Sequence, residues 1–171
     1  MAKKEMIKKV CVLGDPGVGK TSIIDRYVKN VFSPDYLSTI GARTCSKQLD
    51  LDDGSIILTI WDIAGQETSR NLSSSHYQGC EGVIFVYDLA SQESFEGLIN
   101  WDYQLKKVVE DAPVVILGNK LDLVNAGDLP EERLPPGFKF KANFIMASAK
   151  TGDGVASAFE YLGNQILKKA K

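Results

Sequence analysis

The chain is 171 residues long, 44% hydrophobic and 25% charged, with a formal net charge of −2. That length can bury a sizeable core, the composition excludes a disordered or fibrous chain, and the near-neutral balance excludes a strong pull toward nucleic acid. No apolar run reaches the roughly 18 residues of a membrane-spanning helix, and no linker or repeat divides residues 1–171, which read as one domain.

Val10 to Leu13 reads as a buried strand and Thr21 to Val28 as an amphipathic helix. Between them Gly14-Asp15-Pro16-Gly17-Val18-Gly19-Lys20-Thr21 matches the pattern G-x-x-x-x-G-K-[ST]. A polyphosphate wrapped by backbone N–H groups requires glycines where the main chain comes close, and it then lies at the positive end of the following helix. The expected cradle comprises Asp15, Gly17, Val18, Gly19, Lys20, Thr21 and Ser22. Pro16 has no N–H to contribute, and its ring is expected at the mouth of the γ-phosphate site. Lys20 is expected to reach the β- and γ-phosphates, and the Thr21 hydroxyl to ligate Mg²⁺. A ligand-free glycine turn would give no packing reason for Lys-Thr after Gly.

Ser46–Leu51 and Ile56–Trp61 flank Asp52-Asp53-Gly54, a hairpin signal that gives one antiparallel pair. The second of these strands runs into Trp61-Asp62-Ile63-Ala64-Gly65-Gln66-Glu67. Asp62 there is expected to hold Mg²⁺ itself or a water on it. Gly65 is expected to present its N–H to the γ-phosphate at a range that a β-carbon would hinder. The Gln66 amide, which both donates and accepts, suits a group that orients water for in-line attack. A helix over Glu67–Tyr77, a buried strand over Gly82–Asp88 and a long helix over Ser91–Glu110 follow. Within that helix Trp101 and Tyr103 read as packing or surface residues, and Asp102 as a solvated charge.

Val114–Leu117 reads as a buried parallel strand with Asn119-Lys120-Leu121-Asp122 at its C-terminal end, where ligands of open α/β sheets collect. A carboxylate at Asp122 only accepts, and guanine offers it the matching donor pair N1–H and N2–H₂. Adenine would turn a lone pair toward it, a mismatch that can cost ~10⁴-fold in recognition. Asn119 is expected to tie this loop to the glycine loop, and the Lys120 stem to cover one face of the base. From Asp122 to Asn143 the pattern breaks. A short helix over Asp128–Arg133 is expected there, ended by Pro135-Pro136-Gly137. Asn143–Ala147 reads as the last strand, followed by the further nucleotide-binding element Ser148-Ala149-Lys150, with the Ala149 N–H aimed at the guanine O6, and by a helix over Val155–Lys169. This alternation predicts an α/β, P-loop NTPase fold: a six-stranded, mostly parallel sheet with one antiparallel edge pair and helices on both faces. Cys11 reads as core. The spacing of Cys11, Cys45 and Cys80 suggests neither a disulfide framework nor a zinc site, which fits a reducing compartment.

On these residues the chain resembles a small GTPase of the Ras superfamily, nearest the Rab branch, from Lys8 to about Lys168. The likeness rests on the glycine loop, on Ser38-Thr39-Ile40-Gly41, on the run from Trp61 to Glu67 and on Tyr77-Gln78-Gly79-Cys80. It implies the small G-protein form of the fold, with GTP or GDP as the bound nucleotide and Mg²⁺ as cofactor. Phe32 would pack against the guanine edge, Tyr36 would lie over the phosphates, and Thr39 would bind Mg²⁺ and the γ-phosphate. The catalytic set would be Lys20, Thr39, Gly65 and Gln66, and the metal set Thr21, Thr39 and Asp62. Residues 32–41 would form the first switch and 62–77 the second, both loosened when γ-phosphate release frees Thr39 and Gly65. Exchange factors, activating proteins and effectors are then expected at the switches, with His76 among the partner-facing residues, on a cytoplasmic monomer.

Departures from the Rab pattern are equally specific. After Thr-Ile-Gly a Rab usually has an aliphatic residue, an acid and Phe, whereas Ala42-Arg43-Thr44 stand here. After Gln-Glu it usually has Arg-Phe-Arg, whereas Thr68-Ser69-Arg70 stand here. Nucleotide chemistry therefore transfers, and effector identities do not. Pro16 occupies a position that is usually small, beside the space an arginine finger would use. It would either weaken stimulation by an activating protein or leave it unchanged. Met1-Ala2 lacks the glycine that myristoylation needs, and no Cys follows Cys80 for prenylation. Either the chain is unlipidated, or a variable tail follows the sequence given, and only such a tail would bring it to a membrane. Lys168, Lys169 and Lys171 would add a weak attraction to anionic lipid or simply face the negative end of the helix dipole. Three functions are compatible with these residues. The leading one is a GTPase switch with intrinsic turnover on the order of 10⁻⁴ to 10⁻² per second. The second is a GTP-dependent binding module with negligible hydrolysis, favoured by Pro16 and opposed by Gln66. The third, a P-loop ATPase or nucleotide kinase, is opposed by Asn119, Asp122 and the lack of a lid segment.

Overall fold

In the apolar runs, alternate side chains point to opposite faces, and this period of two divides the core. Val10 and Val12 of β1 (Met6–Leu13) join one buried cluster, and Cys11 and Leu13 join the other. β4 (Gly82–Asp88) divides in the same way, with Ile84 and Val86 against Val83, Phe85 and Tyr87. So does β5 (Val114–Asn119), with Val115 and Leu117 against Val114 and Ile116. Strands buried on both faces require a cover on each. The computed structural model describes residues 5–65 and 74–171, and it supplies that cover. α1 (Lys20–Lys29) and α4 (Val155–Lys169) close one face through Ile23, Ile24, Phe159 and Leu162. α2 (Gln92–Glu96) and α3 (Leu98–Lys106) close the other through Phe95, Leu98 and Leu105.

β2 (Ala42–Leu51), β3 (Gly54–Ile63) and β6 (Ala142–Met146) complete a six-stranded sheet of order β2-β3-β1-β4-β5-β6. All neighbours run parallel except the edge pair β2–β3, whose register places Leu51 opposite Gly54 and leaves Asp52-Asp53 as the turn. The chain passes from β1 to β2 and β3 on one side and then crosses from β3 to β4 on the other, so the strand order reverses at β1. The carboxyl end of β1 is the switch point at which open α/β sheets form a crevice, and the glycine loop begins there.

Two expected helices differ. The long helix over Ser91–Glu110 is two helices, α2 and α3, and it ends at Lys106. At the junction Gly97 keeps helical torsions, but Asn100 bonds back only three residues to the Gly97 carbonyl, a tighter turn. At the far end the Val108 and Val109 N–H groups both return to the Leu105 carbonyl. No helix forms over Asp128–Arg133. A single 3₁₀ turn at Ala126–Asp128 stops at Leu129, whose backbone is extended (φ −64°, ψ 131°) because the ring of Pro130 excludes the helical region for its predecessor. The helix expected over Glu67–Tyr77 lies largely outside the described residues, and its end appears as one 3₁₀ turn, Ser74–His76. Asp102 is the opposite of a solvated charge. It is 1% exposed and accepts from the Lys139 N–H at 2.9 Å and the Phe140 N–H at 3.3 Å. Cys11 is core as expected and shares its buried cluster with Cys80. All three cysteines are free.

Candidate functional site

The turn out of β1 is built on backbone that side chains resist. Gly14, Gly17 and Gly19 have φ of 153°, 75° and 97°. A Cβ on Gly14 would stand 2.2 Å from the Val86 carbonyl oxygen, and one on Gly19 would stand 2.2 Å from Asn119 Nδ2. Val18 is buried between them. α1 then begins at Lys20, whose ammonium donates to the Gly14 and Asp15 carbonyls at 2.7 and 2.8 Å. Lys20 is 6% exposed, and burial pushes its amine down to about 8, against the opposing pull of Asp62 and Asp15.

One residue further on, the Thr21 hydroxyl donates to Asp62 Oδ2 at 2.6 Å and lies 2.7 Å from the Thr39 hydroxyl. α1, the end of β3 and the segment before β2 thus converge on one point. Asp62 is 1% exposed, and its Oδ1 has no hydrogen-bond partner among the described residues. Burial raises its carboxyl above the ordinary range, opposed by the Thr21 hydrogen bond and by the charges of Lys20 and Arg43. Arg43 is its cross-strand neighbour in the β2–β3 register, with a guanidinium nitrogen 3.7 Å from Asp62 Oδ2 and 2.9 Å from Asp25 Oδ1 on α1. Gly65 presses on the glycine loop: a Cβ there would stand 2.5 Å from the Gly14 oxygen and 2.6 Å from both Asp15 C and Pro16 N. What a side chain at 65 would strike is the loop's own main chain.

A cavity of about 150 Å³ opens over this point, with Pro16, Lys20, Thr21, Tyr36, Thr39 and Gly65 in its wall. Gly17, Gly19 and Ser22 line it as well. Tyr36 is 65% exposed. Phe32, 37% exposed, stands outside that lining. Gln66 lies outside the described residues.

A second cluster forms where β5 and β6 end. Asn119, 2% exposed, donates from Nδ2 to the Val18 carbonyl at 3.0 Å and accepts the Ala149 N–H on Oδ1 at 3.1 Å. The bond to Val18 is the tie to the glycine loop that the sequence predicts, and the bond from Ala149 adds the Ser148–Lys150 loop to it. The Ala149 N–H, expected from the sequence at the guanine O6, donates here to Asn119 Oδ1. Asp122 is exposed and accepts the Ser148 hydroxyl on Oδ1 at 2.6 Å. Ser148 is itself 1% exposed. Lys120 takes a left-handed backbone, φ 66°, and its ammonium pairs with Asp88 at 2.7 Å. Lys150 is exposed at the loop's tip.

Arg26, Arg43, Asp88 and Trp101 were not marked by any sequence motif as parts of this region. Arg26 donates to the Ala149 and Lys150 carbonyls at 2.8 and 2.6 Å and so holds the last loop from α1. Trp101 reaches Asp15 from α3. Each is an ordinary polar or aromatic residue on its own element, and only the tertiary fold brings it here. His76 is half-buried, edge-on to the Trp61 ring at 6.1 Å.

Residues 9–168 match the model of the Ras family. The chain is 39% identical over 172 residues to Ras-related protein Rab-18 of Lymnaea stagnalis, covering 98% of this chain and 85% of that one. It is 40% identical over 162 residues to Ras-related protein Rab-18-B of Danio rerio, covering 94% and 79%. To Ras-related protein Rab-7a of Dictyostelium discoideum it is 36% identical over 173 residues, covering 97% and 85%. Among the described residues no helix is long and apolar enough to cross a membrane.

Proposed function

The chain belongs to the Ras family, on its Rab branch, and is a small GTPase; from that premise we propose that residues 1–171 form one domain that binds GTP with Mg²⁺, hydrolyses it slowly to GDP, and switches partner binding through residues 32–41 and 62–77. The observation that supports this most is the meeting of Thr21, Thr39 and Asp62 beside Lys20. Two hydroxyls and a carboxylate are hard oxygen donors of the kind Mg²⁺ takes. The buried Asp62 Oδ1, which has no hydrogen-bond partner among the described residues, is the kind of acceptor that a cation or its water shell satisfies. Mg²⁺, when bound, would neutralise charge on the β- and γ-phosphate oxygens.

The chain's own residues would do the rest. Backbone N–H groups from Asp15 to Ser22, Pro16 excepted, would cradle the phosphates at the start of α1. The Lys20 ammonium now rests on two loop carbonyls, and the phosphates are stronger acceptors for it. Thr39 and Gly65 would report the γ-phosphate to the two switches. Gln66 would orient the attacking water, an assignment that rests on the sequence. Asp122 would accept from guanine N1–H and N2–H₂ while Ser148 fixes its carboxylate. Lys120 would cover one face of the base, and Phe32 and Tyr36 would close over guanine edge and phosphates.

We test this by single-turnover hydrolysis of bound GTP, resolved by HPLC, with ATP as the control. Slow conversion to retained GDP is the expected result. GTP bound but uncleaved over a day would favour a binding module instead, with Pro16, which lines the cavity, as the first residue to replace. Turnover of ATP in place of GTP would overturn the reading of Asp122. Membership of the Rab branch supports a place in membrane traffic, with exchange factors, activating proteins and effectors meeting the switches.

A further inference from the structure

We propose that Arg43 is a built-in counter-cation at the metal carboxylate, and that it weakens the dependence of nucleotide retention on Mg²⁺; the inference rests on the nucleotide reading above. Three observations carry it. Arg43 lies directly opposite Asp62 in the β2–β3 register, so the sheet sets the two residues side by side on one face. Its guanidinium lies 3.7 Å from Asp62 Oδ2, the same oxygen that accepts the Thr21 hydroxyl. The guanidinium is anchored by Asp25 at 2.9 Å, one helical turn beyond Thr21 on α1. Where the Rab pattern places an acid, this chain has therefore placed a cation between the two elements that supply Thr21 and Asp62.

The consequence follows from charge. Asp62 is 1% exposed, so its unbalanced negative charge is costly, and a nearby positive charge is correspondingly favourable. Arg43 supplies part of that compensation permanently. A divalent cation arriving at the same carboxylate gains less, because it meets a half-neutralised acceptor and a like charge beside it. Loss of the metal also costs less, because Asp62 keeps a partner. Both effects flatten the coupling between metal and nucleotide. The Arg43 side chain is 43% exposed, so solvent screens the effect to a modest size.

The test is the release rate of mant-GDP measured against free Mg²⁺ set by a chelator buffer. Replacing the charge in Arg43→Gln should move the midpoint of protection to lower free Mg²⁺, by roughly three- to tenfold for a screened neighbouring charge. Arg43→Lys keeps the charge and should stay within about twofold of the parent. Asp25→Asn releases the guanidinium to Asp62 alone and should leave the midpoint at or above the parent value. An unchanged midpoint in Arg43→Gln overturns the proposal. Loss of mant-GDP from Arg43→Gln even at saturating Mg²⁺ also overturns it, since Arg43 would then be a tether between β2 and α1. Failure of the parent chain to bind mant-GDP overturns the nucleotide reading, and this inference with it.

Discussion

Trp101 Nε1 donates a 2.9 Å hydrogen bond to Asp15 Oδ1 and so ties α3 to the loop between β1 and α1. Gly97, at the junction of α2 and α3, completes the seat: a Cβ there would stand 2.2 Å from Asp15 Oδ2. The same Asp15 gives its carbonyl to the Lys20 ammonium, so the position of α3 bears on the position of Lys20. Trp101→Phe removes the donor together with the pyrrole ring that carries it. It should lower stability by about 1.5–3 kcal/mol, the range for a hydrogen bond to a charged group. GDP release should also quicken, because the loop is held by one contact fewer. Thermal melts and mant-GDP release check the two effects. An unchanged melting temperature would reduce the bond to an incidental contact.

Gly65→Ala tests a different wall of the same loop. The added methyl would meet main-chain atoms of Gly14, Asp15 and Pro16 at 2.5 to 2.6 Å, and a backbone cannot rotate aside as a side chain can. Either the Gly65 segment or the glycine loop must move. The expected cost is about 1–3 kcal/mol, as for other overpacked sites. Chemical denaturation without added nucleotide measures it, and a midpoint equal to that of the parent would show that the two segments separate freely.

Asn119→Ala should be the most damaging of the single changes at the site. It removes the donor to the Val18 carbonyl and the acceptor for the Ala149 N–H, two groups in a buried region. Each orphaned group costs about 1–3 kcal/mol, so the pair should cost about 2–4 kcal/mol once the loops relax. Guanine-nucleotide affinity should fall with it, because the glycine loop and the Ser148–Lys150 loop lose their common anchor. Equilibrium unfolding in urea reads the first effect and nucleotide competition the second.

The sheet and its connections were legible because short, continuously apolar, Val- and Ile-rich runs such as Val10–Leu13 and Val114–Leu117, bounded by glycine, proline or polar residues, mark strands buried on both faces. The loop at Gly14–Thr21 was legible because its spelling has a chemical reason. Helix interruptions were harder. Gly97 carries only a weak breaking tendency by itself, and its real constraint, the Asp15 carboxylate, lies far away in sequence. Pro130 was a readable signal: a proline excludes its predecessor from the helix, and that outweighs the helix-forming residues after it. Arg26, Arg43 and Trp101 could not be assigned from pattern, since a polar or aromatic residue at an element's surface acquires its partner only from the packing of another element.

Asp102 shows the same limit and gives a prediction of its own. An acid beside Trp101 and Tyr103 on a helix looks solvated, yet this one holds the Lys139 and Phe140 N–H groups and pins the loop before β6 against α3. Asp102→Ala leaves two backbone donors without their acceptor and should cost about 2–3 kcal/mol. Because this contact is remote from Thr21 and Asp122, mant-GDP release from the folded variant should match the parent. A changed release rate would mean that α3 carries strain from this loop to Asp15.

Asp122→Asn tests the base directly. In the structure Ser148 holds one carboxylate oxygen at 2.6 Å and is itself 1% exposed, so the group at 122 is presented in a fixed direction. The carboxylate offers two acceptors where guanine offers two donors. An amide there retains one acceptor and turns a donor toward guanine's N–H face, which leaves donor against donor. Xanthine carries a carbonyl in place of the 2-amino group and meets that amide donor with an acceptor. Preference for GTP over XTP should therefore fall by about a hundredfold or more, the scale on which an unpaired polar group rejects a ligand. The Ser148 hydroxyl can still donate to the amide oxygen, so the fold should be kept, and the melting temperature of the variant serves as the control. Competition of GTP and XTP for a mant-labelled nucleotide gives the ratio. If the ratio stays at the parent value while the variant melts normally, the base is read elsewhere. The Lys150 backbone beside the engaged Ala149 N–H would then be the next place to look.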